Sequence, residues 1–297
     1  MAYYRPEACG DWGEMRAFGQ ITLTTDRFVM ADGTTLFYRS WLIPGAPVLL
    51  ILHGLGAHSG WFIDMGNALA MRGLTVYALD HRGFGRSDGP RGHIVNYRVF
   101  LQDIQTVLDL LHQRHPTLPI FVLGHSMGAL FAVYTAAREC SRLAGVILLN
   151  PWIKDTARVS PIVLLKVIFA GLLRLPIRYR LAGGPEVMTT NPEAIALLQN
   201  DPYWVRAETA SFFFQISLMR VGVLHQARSV HIPALVLQAE RDLAILPAAS
   251  RKMYEQLGST DKTWKTYPAY AHDAEFEADR QALDDDIAAW VQQHAHA

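Results

Sequence analysis

Residues 124–128 read Gly124-His125-Ser126-Met127-Gly128 and directly follow an apolar run, Pro119-Ile120-Phe121-Val122-Leu123. A helix-like segment, Ala129 to Tyr134, comes next. A serine between two glycines, set where a buried strand turns sharply into a helix, stands exposed at the edge of a sheet. The new helix points its N-terminal N–H groups toward it. The glycines let strand and helix approach closely. That arrangement suits a nucleophile in acyl transfer. The five residues alone also fit an ordinary strand–turn–helix crossover, so the rest of the chain must supply the other parts.

A serine hydroxyl needs a base, and the base needs an orienting carboxylate. Downstream, the strand-like run Ala234–Ala239 ends in Glu240-Arg241-Asp242, and Lys262–Tyr267 is followed by Pro268-Ala269-Tyr270-Ala271-His272-Asp273. Asp242 and His272 each fall just past the carboxyl end of a strand, in the chain order serine, acid, histidine. Glu240 is the rival acid, nearer the strand; Asp242 is preferred because it lies further into the loop. Asp273 is read as structural or capping, His125 as packing at the turn, and His231 as a surface or packing residue. His294 and His296 are read as solvated in a polar tail. Acyl transfer also needs two N–H donors for the oxyanion. Met127, the residue after the serine, supplies one. The early strand Pro47–Leu52 runs into His53-Gly54-Leu55-Gly56, and Leu55 supplies the other.

These residues need a sheet to hold them. Residues 20–42 alternate, and Asp32-Gly33 marks a hairpin turn, so the sheet begins antiparallel. Apolar runs at 47–52, 74–79, 120–123 and 143–149 then alternate with helical patterns at 64–72, 100–112 and 127–138, the layout of a parallel sheet covered on both faces. The pattern breaks from about 151 to 230, a helix-like region with several prolines. Strands resume at 234–239 and 262–267, and a helix over about 278–293 closes the chain. The expected fold class is α/β, a mostly parallel central sheet with antiparallel N-terminal strands and helices on both faces. Residues 1–150 and 231–297 form its core and residues 151–230 a helical insertion.

The 297 residues are 51% hydrophobic and 18% charged, ample for one large core. Lysines plus arginines number 27, as do aspartates plus glutamates, so nothing in the overall charge favours nucleic acid or an anionic membrane as partner. Cys9 and Cys140 fit no metal-site spacing; they are read as two reduced thiols, with a disulfide between them as the alternative. No leader-like apolar segment opens the chain and no 18-residue uncharged apolar run occurs, which points to a cytoplasmic protein.

The set His53-Gly54-Leu55-Gly56-Ala57-His58-Ser59, Asp80-His81-Arg82-Gly83-Phe84-Gly85-Arg86-Ser87, Gly124–Gly128 and Ala271-His272-Asp273 resembles the α/β-hydrolases of the monoacylglycerol lipase and lysophospholipase group, also called serine aminopeptidase S33-like. The resemblance covers roughly residues 20–295. It implies a cofactor-free ester hydrolase with Ser126 as nucleophile, Asp242 as acid, His272 as base, and Leu55 and Met127 as the oxyanion hole. It also implies that the insertion is a cap over an acyl pocket. Two departures stand out: Ala129 replaces a frequent second glycine, and Ala57 replaces a frequent acid. Asp80, Arg82 and Arg86 are read as structural, the arginines pairing with carboxylates.

Within the insertion, Pro161–Leu173 carries only Lys166 as a charge, and Arg174, Arg178 and Arg180 follow. Two readings stay open: helices that cover their own core, or transient contact of the cap with a membrane surface. Either favours a small-molecule lipid or ester substrate with a hydrocarbon chain. Phe212, Phe213, Leu218 and Met219 are the expected pocket lining, with an ordinary core as the alternative. The same triad would also serve thioester, amide or lactone hydrolysis or acyl transfer. A catalytically silent binding protein would lack a triad member, and none is missing.

Overall fold

A computed structural model describes residues 17–18, 21–157, 159–180 and 183–295; Cys9 and His296 lie outside them. The chain runs β1 (Ala17–Phe18), β2 (Ile21–Val29), β3 (Thr35–Trp41), β4 (Val48–Leu52), α1 (Ile63–Met71), β5 (Thr75–Leu79), α2 (Arg98–Arg114), β6 (Ile120–His125), α3 (Met127–Arg138) and β7 (Gly145–Leu149). The insertion holds α4 (Pro161–Leu172), β8 (Arg178–Tyr179), α5 (Pro185–Met188), α6 (Pro192–Gln199), β9 (Glu208–Thr209) and α7 (Ala210–Ala227). The chain then returns through β10 (Ala234–Ala239), α8 (Pro247–Gln256), β11 (Lys262–Tyr267) and α9 (Gln281–His294).

Among the described residues nine strands form one sheet in the order β1-β2-β3-β5-β4-β6-β7-β10-β11. β1, β2 and β3 pair antiparallel, as does β3 with β5. From β5 onward every neighbouring pair is parallel. The central strands β4 to β7 and β10 are buried along their whole length, which is why they read as unbroken apolar runs. Side chains from the two faces of the sheet feed two separate cores, one around Phe100, Phe131 and Phe212 and one around Trp41, Leu69 and Trp290.

Three expectations need correction. The insertion is not purely helical, because β8 and β9 pair as a short antiparallel ribbon. His294 is not solvated: α9 places it four residues after Trp290, where it is buried with Nδ1 2.7 Å from the Trp290 carbonyl. Among the described residues Arg86 pairs with no carboxylate through its side chain; its guanidinium lies 4.4 Å from the centre of the Phe37 ring. Arg82 does pair, with Asp103 and Asp32. Cys140 is an exposed free thiol.

Candidate active site

Ser126 caps the N-terminus of α3 with φ 53°, a left-handed conformation that is costly for a non-glycine residue. The surrounding packing enforces it. A Cβ on Gly124 would sit 2.3 Å from the Gly128 carbonyl oxygen, and one on Gly128 would sit 2.0 Å from that of Leu52. Any larger residue at either position would push strand and helix apart. The Ser126 N–H donates to the Leu149 carbonyl at the end of β7.

The serine hydroxyl lies 2.9 Å from His272 Nε2. His272 Nδ1 lies 2.7 Å from Asp242 Oδ2. The other oxygen of Asp242 accepts the N–H groups of Ala244 and Ile245, each at 2.9 Å. All three side chains are buried. Glu240 is exposed and takes no part in this chain of bonds. The order β6-β7-β10-β11 explains the convergence: parallel strands deliver the serine turn after β6, the acid loop after β10 and the histidine loop after β11 to one edge of the sheet.

The backbone of His272 is clamped as well. Its carbonyl accepts from Asn150 Nδ2 at 2.6 Å and faces His125 Nε2 at 3.1 Å. Asn150 Oδ1 accepts the Ala239 N–H at 2.7 Å, so one side chain ties the histidine loop to the end of β10. Asn150 sits just past β7 with φ 45°, a conformation that asparagine tolerates better than most residues. Sequence reading missed it; an Asn-Pro pair at a strand end was the only signal. His125 combines packing, edge-on against Phe62, with this hydrogen bond. Burial drives its pKa down to about 4, so it is neutral at ordinary pH.

The two expected N–H donors are placed beside Ser126. Met127 is the first residue of α3, so its N–H has no partner within the helix. A Cβ on Gly54 would lie 3.2 Å from Ser126 Cβ, so the loop carrying Leu55 packs directly on the turn. Buried polar residues hold that loop. His53 Nε2 accepts the His81 N–H, and Asp80 accepts the N–H groups of Ser59 and Arg86. Burial opposes the charge on Asp80, but His58, Arg39 and the Arg86 N–H outweigh it and hold the carboxyl below its usual range.

A cavity of about 150 Å³ opens onto Ser126 and His272. Apart from the site itself its walls are mainly apolar: Trp61, Trp152, Val159, Val187, Met188, Leu243 and Ile245 among them. Phe212, Phe213, Leu218 and Met219, the expected lining, are not among the cavity residues. Phe212 and Met219 point into the main core, Phe213 packs beside them, and Leu218 is exposed. The reason is that α7 packs along α3, where the Tyr134 hydroxyl donates to the Met219 carbonyl. The cavity is closed instead by the segments before α4 and around α5. Asp273, read as structural, also faces the cavity and stands 3.6 Å from His125. Burial, reinforced by Glu275 beside it, pushes its carboxyl up to about 7. His125, His272 and Asp273 bring donor atoms within 4.8 Å of one another, a spacing that could hold a metal ion. However, both nitrogens of His272 and the Nε2 of His125 are already committed to hydrogen bonds.

Fold and site together define an α/β-hydrolase, and comparison with known proteins places it more closely. The family described as serine aminopeptidase, S33, matches over residues 45–279, and the chain belongs to that family. Among curated proteins it is 33% identical to monoglyceride lipase of Homo sapiens over 82% of either chain. It is 29% identical to monoacylglycerol lipase of Mycolicibacterium smegmatis over 92% of this chain and 98% of that one. The crystal structure of Paleococcus ferrophilus monoacylglycerol lipase superposes with a TM-score of 0.78 at 22% identity, covering 87% of this chain and 99% of the other. Within the α/β-hydrolases the chain is a hydrolase of the monoacylglycerol lipase group.

Proposed function

We propose that this protein hydrolyses carboxylic esters of a hydrocarbon chain, monoacylglycerols or lysophospholipids, through an acyl-enzyme on Ser126. The observation that carries this reading is the unbroken bond chain Ser126–His272–Asp242 opening into an apolar cavity. His272 takes the proton from Ser126 Oγ as the oxygen attacks the ester carbonyl. Asp242 holds the proton on His272 Nδ1, so Nε2 is free to accept, and it stabilises the imidazolium that forms. The N–H groups of Leu55 and Met127 receive the oxyanion; one such donor is worth ~2.7–4 kcal/mol of barrier. The C–O bond breaks as His272 gives its proton to the leaving alcohol. Water, deprotonated by the same imidazole, then cleaves the acyl-enzyme. Curated relatives named as lipases of monoacylglycerol support the substrate class.

A matched series tests this. Esters are expected to be cleaved faster than the anilide and thioester of the same acid, and 1-acylglycerols with medium or long chains faster than short ones. An anilide cleaved as fast as the ester would overturn the ester assignment.

Residues 151–230 act in this reading as a cap on the core formed by 1–150 and 231–297. α4 turns its small residues inward: Ala170 and Gly171 are buried against α7. Its large ones face outward, with Ile162 67%, Leu165 67% and Phe169 61% exposed. Lys166 and Arg174 stand among them. No helix among the described residues is long and apolar enough to cross a membrane. Such a face suits docking on a lipid surface, with the cations at the head groups. Fully burying one such side chain contributes ~1.5–3 kcal/mol. Replacing Ile162, Leu165 and Phe169 together by serine should therefore weaken sedimentation with anionic vesicles by at least about tenfold. Cleavage of a water-soluble p-nitrophenyl butyrate should be unaffected. Undiminished vesicle binding would assign this face another role.

A further inference from the structure

The peptide N–H groups on either side of His272 are both tied down. The Asp273 N–H donates to the Met188 carbonyl at 2.7 Å, and the Ala271 N–H donates to Glu277 Oε1 at 3.2 Å. Met188 is the last residue of α5, so the first of these bonds leaves the core and ends in the insertion.

Glu277 reaches the insertion as well. It lies five residues beyond His272, in the loop between β11 and α9, and is 3% exposed. Its Oε1 also accepts the Thr190 N–H at 3.1 Å and the Thr189 hydroxyl at 3.3 Å, and its Oε2 accepts the Thr190 hydroxyl at 2.5 Å. Beside it Asn191 Nδ2 donates to the Phe276 carbonyl at 2.8 Å. Four donors thus converge on one buried carboxyl group, three of them from residues 189–190 of the insertion. A buried acceptor of this kind is stable only while its donors stay in place. If residues 188–190 moved off the core, Glu277 would keep one donor of these four, and both N–H groups flanking His272 would lose a fixed partner. The same segment meets the reaction space, because Val187 and Met188 line the cavity at Ser126.

We propose that Glu277 is a positioning residue for the reaction: through Ala271 it fixes the backbone of His272, and through Thr189 and Thr190 it makes that fixing depend on a seated insertion. This role rests on the ester-hydrolase reading above, with His272 as base, and adds a residue that touches neither the reacting atoms nor a triad side chain. A loosened His272 backbone misplaces Nε2 against Ser126 and Nδ1 against Asp242. A shift of about 1 Å in a reacting group can cost about 10²-fold in rate. His272 serves both the formation and the cleavage of the acyl-enzyme, so the loss falls on kcat rather than KM.

Three variants test this: Glu277→Leu, Glu277→Gln and Thr190→Val. With p-nitrophenyl butyrate, Glu277→Leu is expected to lower kcat roughly 10- to 100-fold and to leave KM within about twofold. Glu277→Gln should recover most of kcat. Its oxygen can accept the Ala271 and Thr190 N–H groups while its NH₂ donates to the Thr190 hydroxyl, which can turn to accept. Thr190→Val removes a bond on the insertion side alone and should lower kcat several-fold in the same pattern; it carries the test if Glu277→Leu fails to fold. A second readout needs no substrate. The His272 Nδ1 proton, held by Asp242, should give a far-downfield proton resonance in the unmodified protein and in Glu277→Gln, and broaden or vanish in Glu277→Leu. A lower melting temperature with kcat and the resonance unchanged would make Glu277 merely structural and overturn the proposal. An unchanged kcat in Thr190→Val would overturn the link to the insertion. A resonance that responds to Glu277 in a protein that cleaves no ester would keep the positioning and remove the hydrolytic reading; ester cleavage that Glu277→Leu leaves intact would do the reverse.

Discussion

Ser126→Ala is expected to abolish ester cleavage while leaving the protein folded. In triads where the nucleophile has been removed, kcat falls by roughly six orders of magnitude, and what survives comes from binding and the oxyanion donors. The folded state should tolerate the change. Ser126 already holds a left-handed backbone with φ 53°, and alanine pays a similar strain there. The lost hydroxyl faces His272 and supports no other part of the fold. Circular dichroism and melting temperature should therefore match the unmodified protein. A fluorophosphonate probe should label the unmodified chain at Ser126 and leave the variant unlabelled. Activity above a few percent in the variant, or labelling at another residue, would sink the nucleophile assignment. Failure of the unmodified chain to label would favour a catalytically silent binding protein.

The parts of this site that were legible in the sequence are those marked by backbone punctuation. Gly124 and Gly128 bracket Ser126 because the turn leaves no room for a Cβ, and that shows as a spacing of four. Asp242 and His272 could be found because β10 is a short apolar run and β11 a short run of threonine and aromatic residues alternating with lysine, both with clear ends, and parallel strands bring such ends together. The strand bounds 234–239 and 262–267 were read correctly for the same reason. Edges without such marks drifted: α9 begins at Gln281 rather than near 278, and β7 at Gly145 rather than 143.

The cavity beside Ser126 was not legible. Its walls come from stretches near 55–61, 152–159, 187–188 and 243–245, remote in sequence and sharing no pattern. The Phe212–Phe214 run misled because α7 is apolar on nearly all sides. Periodicity then cannot say which face meets α3 and which a ligand. Asn150 escaped for a related reason. Its importance lies in what surrounds a buried polar group, and single-residue chemistry does not reveal burial. The insertion's ribbon β8–β9 comprises two residues on each side, below what alternation can detect.

Asp242→Asn should have the second largest effect, and the local bonding sets its direction. Asp242 Oδ1 accepts two N–H groups, from Ala244 and Ile245, while Oδ2 faces His272 Nδ1. An asparagine must point its one oxygen at the two N–H donors, which turns its NH₂ toward His272. Nδ1 must then accept, and the imidazole proton moves to Nε2, where it faces Ser126. That tautomer cannot take the serine proton, and the comparable change in a known triad lowers kcat about 10⁴-fold. The pH profile gives an independent sign. Burial lowers the affinity of His272 for its proton, but the Asp242 carboxylate outweighs burial and pushes the pKa up to about 9. Activity needs the neutral imidazole, so it falls as pH drops through that titration. Removing the carboxylate lowers the His272 pKa, and the acid limb of kcat/KM should move to lower pH even as the plateau collapses. Glu240→Gln alters an exposed side chain and should change neither the plateau nor the limb. A large fall in Glu240→Gln with little change in Asp242→Asn would transfer the acid's role to Glu240. A limb that moved upward in Asp242→Asn would mean that the titrating group is not His272.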